Sequence, residues 1–262
     1  ALTLELRHPD DAEHAARIAS RLDERGHLTR VDHAEDAHRH MIDAYFAWQA
    51  RGKRVALVTG ANSDAGALND EIQQRRVDRG ELDPTVLAWG MGEQRILVGD
   101  TVQTRRNDRR VGVENRATWV VSKIAEDSLL LRSVNDSGDV RKVTRDYAFE
   151  HVQLAYASTV HGIQGETVDA SIVGPDVDAA GLYVGLTRGR EHNEVVAVAH
   201  TGRAARANVA TCMLRGSTEL TMQDAVRAAR AEMQRAAQVR DRHDAFARGP
   251  HVAPSAGRGM SI

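Results

Sequence analysis

The chain has 262 residues, 42% hydrophobic and 27% charged, a balance that packs a globular core and excludes a low-complexity class. Its 35 Lys and Arg against 37 Asp and Glu leave a net charge of −2, so any contact with nucleic acid must come from a local patch. The single cysteine excludes internal disulfides and paired-cysteine zinc sites, and no run of 18 apolar residues or basic-then-apolar leader is present, which together predict a cytoplasmic protein with no membrane partner.

Leu2, Leu4 and Leu6 alternate with polar residues and predict a short strand. A chain that opens on Ala1 already in such a pattern reads as a piece of a longer one. His8-Pro9-Asp10-Asp11 stops the strand and caps a helix over 12–24, which Gly26 ends. A second amphipathic helix over 34–50 has Met41, Ile42, Tyr45, Phe46 and Trp48 on its apolar side. Val55-Ala56-Leu57-Val58 is the continuous apolar run of a buried parallel strand, followed by a loop over 59–63 and a helix over 64–79. Strands alternating with helices predict an α/β fold with a parallel sheet covered on both faces. Between Ile96 and Ala148 the texture changes to four or five short strands separated by turns, the pattern of a small β barrel inserted into the larger domain. The α/β pattern then resumes, with strands over 151–155, 170–173 and 194–199 and a loop over 158–165.

The predicted organisation is therefore a first part of the α/β domain over 1–96 and the inserted barrel over 97–150. A second part of the α/β domain covers 151–216, a polar Ala/Arg/Gln-rich C-terminal helix 217–248, and a disordered Pro/Gly/Ser-rich tail 249–262.

The loop Val58-Thr59-Gly60-Ala61-Asn62-Ser63-Asp64-Ala65-Gly66 follows a strand and opens a helix as the cofactor loop of short-chain dehydrogenases does. The TGxxxGxG spacing is not met, and none of Tyr45, Tyr147, Tyr156 or Tyr183 has a lysine four residues on, so that chemistry is set aside. His33, His38 and His40 lack the HExxH spacing and a cysteine partner, so they read as surface residues and no metal site is expected.

Two segments carry the strongest signal. Ser158-Thr159-Val160-His161-Gly162-Ile163-Gln164-Gly165-Glu166-Thr167 leaves a strand where ligands bind in parallel sheets. Thr159 and His161 offer hydrogen bonds to a phosphate or sugar, and two glycines let the backbone come close. Leu182-Tyr183-Val184-Gly185-Leu186-Thr187-Arg188-Gly189-Arg190 follows after one strand-sized spacer. In that order they resemble motifs V and VI of the superfamily 1 DNA helicases, in the second RecA-like domain of those enzymes. The resemblance implies DNA contact by Thr159 and His161. Gln164 and Gly165 fall near the nucleotide cleft, with Glu166 and Thr167 competing for the place that faces the nucleotide sugar. Arg188 is implied as the arginine finger, since a planar, permanently charged guanidinium stabilises charge developing on a γ-phosphoryl group. Arg190 either supports it or pairs with a surface carboxylate such as Glu191.

A third segment, Val98-Gly99-Asp100-Thr101-Val102-Gln103-Thr104-Arg105-Arg106-Asn107-Asp108 through Trp119, resembles the opening of the SH3-like barrel inserted in RecD-like and relaxase-linked helicases. Arg105, Arg106 and Asn107, with Arg109 and Arg110, form either a phosphate-binding patch or a solvated turn. Trp119 reads as barrel core rather than a stacking platform. Val55 through Asn69 resembles the opening of the same helicase domain, and Thr59, Asn62 and Ser63 at its helix N-terminus suit the DNA backbone. Arg54 and Arg75 both stand for the motif IV arginine.

No G-x-x-x-x-G-K-[ST] loop occurs in the sequence. The expectation is a C-terminal motor half of a 5′-to-3′, RecD-like superfamily 1 helicase, most similar to the helicase part of a TraA/TraI-type conjugative relaxase. Its ATP and Mg2+ would be held by an N-terminal RecA-like domain of the same protein, and this chain alone would bind neither. Single-stranded DNA and conjugation machinery are the implied partners. The alternatives are a stand-alone RecD-like helicase or exonuclease subunit and a non-catalytic DNA-binding module.

Overall fold

A computed structural model describes residues 5, 6, 9, 11–163 and 165–215, all within one compact unit that extends to residue 217. Gln164, the C-terminal helix expected over 217–248 and the tail 249–262 lie outside the described residues. Of the strand expected at the start of the chain only Glu5 and Leu6 are described, and they are a helical residue and a turn. Leu6 is buried and Glu5 pairs with Arg21 at 2.5 Å. Three alternating leucines are too short a run to distinguish strand from helix.

The organising element is a five-stranded parallel sheet in the order β1-β12-β11-β2-β10, formed by β1 (Leu28–Val31), β2 (Val55–Thr59), β10 (Ala157–Thr159), β11 (Val168–Val173) and β12 (Gly189–Val198). Alternation along its strands divides the core in two. Leu57, Ile172 and Val196 join one hydrophobic cluster, whereas Val58, Val173, Val195 and Ala197 join the other. Helices α2 (Ala34–Gln49) and α3 (Asn62–Asp78) pack on the first side; α1 (Ala12–Glu24), α5 (Ala179–Gly185) and α6 (Gly202–Leu214) pack on the second. The chain is thus a mixed α/β protein built on a parallel sheet, and the continuous apolar run of β2 is buried because both faces of that sheet are covered. Helix α1 begins where its capping aspartate predicts: the Asp11 carboxylate accepts from the backbone N–H of His14 at 2.7 Å.

A second sheet is antiparallel, with five strands in the order β8-β7-β6-β5-β9: β5 (Thr101–Thr104), β6 (Thr118–Ile124), β7 (Ser128–Ser133), β8 (Val140–Thr144) and β9 (Val152–Leu154). Helix α4 (Arg145–His151) connects β8 to β9, and a hairpin of β3 (Leu87–Trp89) and β4 (Arg95–Leu97) precedes the sheet. The strand over 151–155 therefore pairs with β5 of this sheet and not with the parallel one. Three residues carry no period of their own, so their partner is set by long-range pairing. The apolar side of the antiparallel sheet merges with the core over α2 and α3, where Trp119, Val121, Leu129, Leu131 and Val143 are all buried.

The Val98-Gly99-Asp100 stretch works at this junction. Gly99 takes φ +94°, and the buried Asp100 carboxylate accepts from Leu97 N at 2.7 Å, Gln73 Nε2 at 2.6 Å and Tyr156 Oη at 2.5 Å. Burial raises the Asp100 carboxyl above its ordinary range, against the pull of these hydrogen bonds and of Arg76. Asp100 therefore locks α3, the antiparallel sheet and the approach to β10 to one another.

Candidate functional site

All five strands of the parallel sheet point the same way, so its two edges differ. The C-terminal edge carries the loops that follow β2 and β10. Thr59 and Thr159 are register partners across these neighbours, which sets the two loops side by side. Asn62, Ser63 and His161 are exposed there and Thr159 is half-buried. The Thr59 hydroxyl is turned inward and donates to Ala61 O at 2.9 Å, so Thr59 shapes the loop and leaves the surface to Asn62, Ser63, Thr159 and His161.

From β10 the chain returns to the opposite edge to begin β11 in only eight residues, 160–167. The segment is not extended: Gly162 N donates to Thr159 O at 2.8 Å and Glu166 N to Ile163 O at 3.1 Å, so it turns at each end of the crossing. Two glycines make it possible. At Gly162 a Cβ would stand 2.7 Å from Ser158 Cβ, and Gly165 takes φ +91°. The crossover is gripped at both ends by the antiparallel sheet: Gln103 Nε2 donates to Gly162 O at 2.8 Å, and the Thr118 hydroxyl donates to the Glu166 carboxylate. Arg54 stands 3.8 Å from the other Glu166 oxygen and donates to Asn135 Oδ1 at 2.8 Å.

Arg188 lies at the N-terminal edge, just before β12, where its carbonyl accepts from Val168 N at 3.1 Å. Its guanidinium donates to Val184 O at 3.1 Å, Glu166 O at 3.2 Å and Thr187 Oγ1 at 3.1 Å. Three of its five N–H donors are so engaged, and among the described residues one remains on each terminal nitrogen for a further, bidentate partner. Arg190 is exposed beside it. Glu191 does not serve Arg190, because its carboxylate pairs with Lys53 at 2.5 Å. Gly165 and Thr167 are exposed, whereas the Glu166 carboxylate is turned to Thr118 and Arg54.

The basic segment divides in two. Arg105 donates to Gln103 Oε1 at 3.3 Å, Arg106 meets His151 Nε2 at 3.2 Å, and Asn107 Oδ1 accepts from Asn115 N at 2.7 Å. These residues build the base of the β5–β6 loop. The loop's exposed cations are Arg106, Arg109, Arg110 and Arg116; Arg109 and Arg110 sit at its tip, a turn closed by the Asp108–Val113 bridge, and the Arg110 side chain is 94% exposed. Trp119 is buried and donates to Thr104 Oγ1 at 3.2 Å, as expected of a core residue. The motif IV candidates are both committed elsewhere, Arg54 to Glu166 and Asn135, Arg75 to Asp43 and Glu71 at 3.1 and 2.8 Å.

Two functional features escape a reading of the sequence. Asn69 is buried and sutures α3 to β10, accepting from Ala157 N at 2.8 Å and donating to the carbonyls of Leu154 and Ala157 at 3.3 and 3.1 Å. Glu194, buried in β12, accepts from His40 at 2.8 Å and His192 at 3.1 Å. Burial pushes that carboxyl up, but hydrogen bonds from His40, Thr29 and His192 prevail and hold it at about 2. His40 is thus a structural ion-pair partner rather than a free surface group. Among the described residues no group of three His, Cys, Asp or Glu is placed to hold a metal ion.

Over 109 residues the chain is 31% identical to the multifunctional conjugation protein TraI of Escherichia coli K12, an alignment covering 38% of this chain and 6% of TraI. Over 143 residues it is 28% identical to the conjugal transfer protein TraA of Agrobacterium fabrum, covering 53% of this chain and 13% of TraA. The chain therefore corresponds to a small part of these relatives' length. Among solved structures it is similar to Bacteroides Pif1 bound to single-stranded DNA, with TM-score 0.47 and 16% identity over 88% of this chain and 53% of that one. No protein-family model matches the chain.

Proposed function

We propose that this chain, superfamily 1 helicase-like and related to the conjugative relaxases, is the C-terminal motor half of an ATP-dependent DNA helicase. In this reading it binds single-stranded DNA along the C-terminal edge of the parallel sheet and presents Arg188 to a nucleotide at the other edge. The observation that carries the reading is the crossover 160–167, which begins among Thr159, His161, Asn62 and Ser63 and ends hydrogen-bonded to Arg188. One short segment joining both edges is what a motor needs if DNA contact and hydrolysis are to influence each other.

The division of labour follows from the chemistry. Arg188, with two donors unspent, fits a γ-phosphoryl oxygen pair; Arg190, Gly165 and Thr167 complete this side of the nucleotide site, with Thr167 offering the freer hydroxyl toward the sugar, and Gln164 is assigned there by the motif resemblance alone. In this reading ATP and Mg2+ are held mainly by an N-terminal RecA-like domain of the same protein. When bound, the nucleotide supplies the free energy of phosphoryl transfer, and the part of this chain is to orient and neutralise. The antiparallel sheet, a four-strand meander with β9 returning to pair β5, supports an inserted SH3-like module in which β9 takes part. No helix of the described residues is long and apolar enough to cross a membrane, which fits action on DNA in the cytoplasm.

Titrating the chain with single-stranded DNA of mixed sequence tests the DNA half of the proposal. Binding should be weak and indifferent to sequence, and log affinity should fall with log salt at about 0.7 per phosphate contact. Replacing Arg109 and Arg110 by Ala should flatten that slope by about one unit or more. Replacing Arg105 and Arg106 should flatten it less, because Arg105 is half-buried against Gln103 and Arg106 is already engaged with His151. An unchanged slope in the Arg109/Arg110 variant would make the tip a solvated turn.

A further inference from the structure

The loop that carries Arg109 and Arg110 leaves β5 after Thr104 and enters β6 at Thr118, and its root is the register pair Gln103–Thr118. The same two residues hold the crossover: Gln103 takes Gly162 O at 2.8 Å and Thr118 takes the Glu166 carboxylate. Glu166 then faces two ways, its side chain bound to the antiparallel sheet and its own carbonyl accepting from Arg188 at 3.2 Å. A third tie runs through Arg54, which bridges Glu166 to Asn135 beyond β7. The root also borders a cleft of about 320 Å3 between the two sheets, lined among others by Gln103, Thr118, Ser158, Gly162 and Glu166. The crossover therefore has room to shift on one side while being held on the other.

We propose that Gln103 and Thr118 are positioning residues that couple a polyanion bound at Arg109 and Arg110 to the setting of Arg188, with Glu166 as the relay. The inference rests on the motor reading above. Its physical basis is the shortness of the path. Drawing the arginine tip toward a phosphate backbone pulls on the β5–β6 root, and the root is hydrogen-bonded directly to both ends of the crossover, at Gly162 and at Glu166. Moving Glu166 removes or restores one of the three acceptors that hold the Arg188 guanidinium, and so frees or withdraws an N–H donor for the nucleotide. The half-buried end of this relay is charge-assisted, a hydroxyl on a carboxylate, which makes it stronger than a neutral contact of the same geometry.

The test uses the full-length parent protein and reads ATP turnover with and without single-stranded DNA. Thr118→Val keeps the shape and removes the donor. Stimulation by DNA should fall about tenfold, the size of effect expected for losing one hydrogen bond to a charged group. The KM for ATP and the DNA concentration giving half-maximal binding should each stay within about twofold, since ground-state binding is untouched. Thr118→Ser, which restores the hydroxyl, should restore stimulation; a purely structural role for the residue would not separate turnover from KM in this way. Wild-type stimulation in Thr118→Val, or a Thr118→Ser variant as impaired as Thr118→Val, overturns the coupling while leaving the motor reading intact. A parent protein whose ATP turnover is indifferent to DNA overturns both.

Discussion

The Glu194 carboxylate fixes α2 to the sheet through His40, and the pair makes stability depend on pH in a direction that can be worked out. Its hydrogen bond to Glu194, opposed by burial and reinforced by the charges of Glu194 and Asp43, raises the His40 pKa. A histidine with a raised folded pKa stabilises below its unfolded value and loses that contribution as pH rises through the folded one. Glu194, held at about 2, contributes above its unfolded value and loses the contribution as pH falls toward 2. The stability difference between wild type and Glu194→Gln should therefore be widest at mildly acid pH and narrow on the alkaline side of His40. Urea unfolding of both proteins across that range measures it, and a gap independent of pH would show that His40 is neutral throughout. From the sequence His40 looked like any exposed helix histidine, because its partner lies 154 positions away.

At the scale of elements, local pattern marked the long helices and the buried β2, whose periodicity or apolar run is strong. It missed β1, the β3–β4 hairpin and α6. Strands of three or four residues hold too few positions to display a period, and β1 reads Leu-Thr-Arg-Val with polar residues inside it. The segments that resemble motifs V and VI stood out in the sequence, but two things about them did not. That the motif V segment is an eight-residue crossover follows only once β10 and β11 are known to flank β2. That Arg109 and Arg110 sit at the loop tip while Arg105 and Arg106 are tied to its base depends on Gln103 and His151, which a linear reading does not bring near. Asn69 belongs to the same class. Its amide makes three hydrogen bonds that seat β10 in the sheet, and Asn69→Ala would strand the Ala157 N–H in a buried site at a cost of about 2–3 kcal/mol. Chemical denaturation should find that loss, together with faster amide exchange over 157–159; a change below about 0.5 kcal/mol would place the residue among those of ordinary surface effect.

At the scale of the molecule, the net charge of −2 is compatible with a DNA-binding motor because the proposed contacts are concentrated on one sheet edge and one loop tip. In the proposed reading the C-terminal edge serves the strand and the N-terminal edge the nucleotide, and the eight-residue crossover joins them. Central to that reading is that Arg188 acts on the transition state of hydrolysis. The most direct measurement is steady-state, DNA-stimulated ATP turnover by the full-length parent protein carrying Arg188→Ala, alongside binding of a non-hydrolysable ATP analogue. Turnover should fall by roughly 10³ to 10⁵. Analogue affinity should stay within about tenfold, or about 1.4 kcal/mol. Arg188→Lys should rescue poorly because it loses the planar fork, and Arg190→Ala should be milder. Near-normal turnover in Arg188→Ala with loss in Arg190→Ala would move the finger two residues along, and near-normal turnover in both would contradict the account.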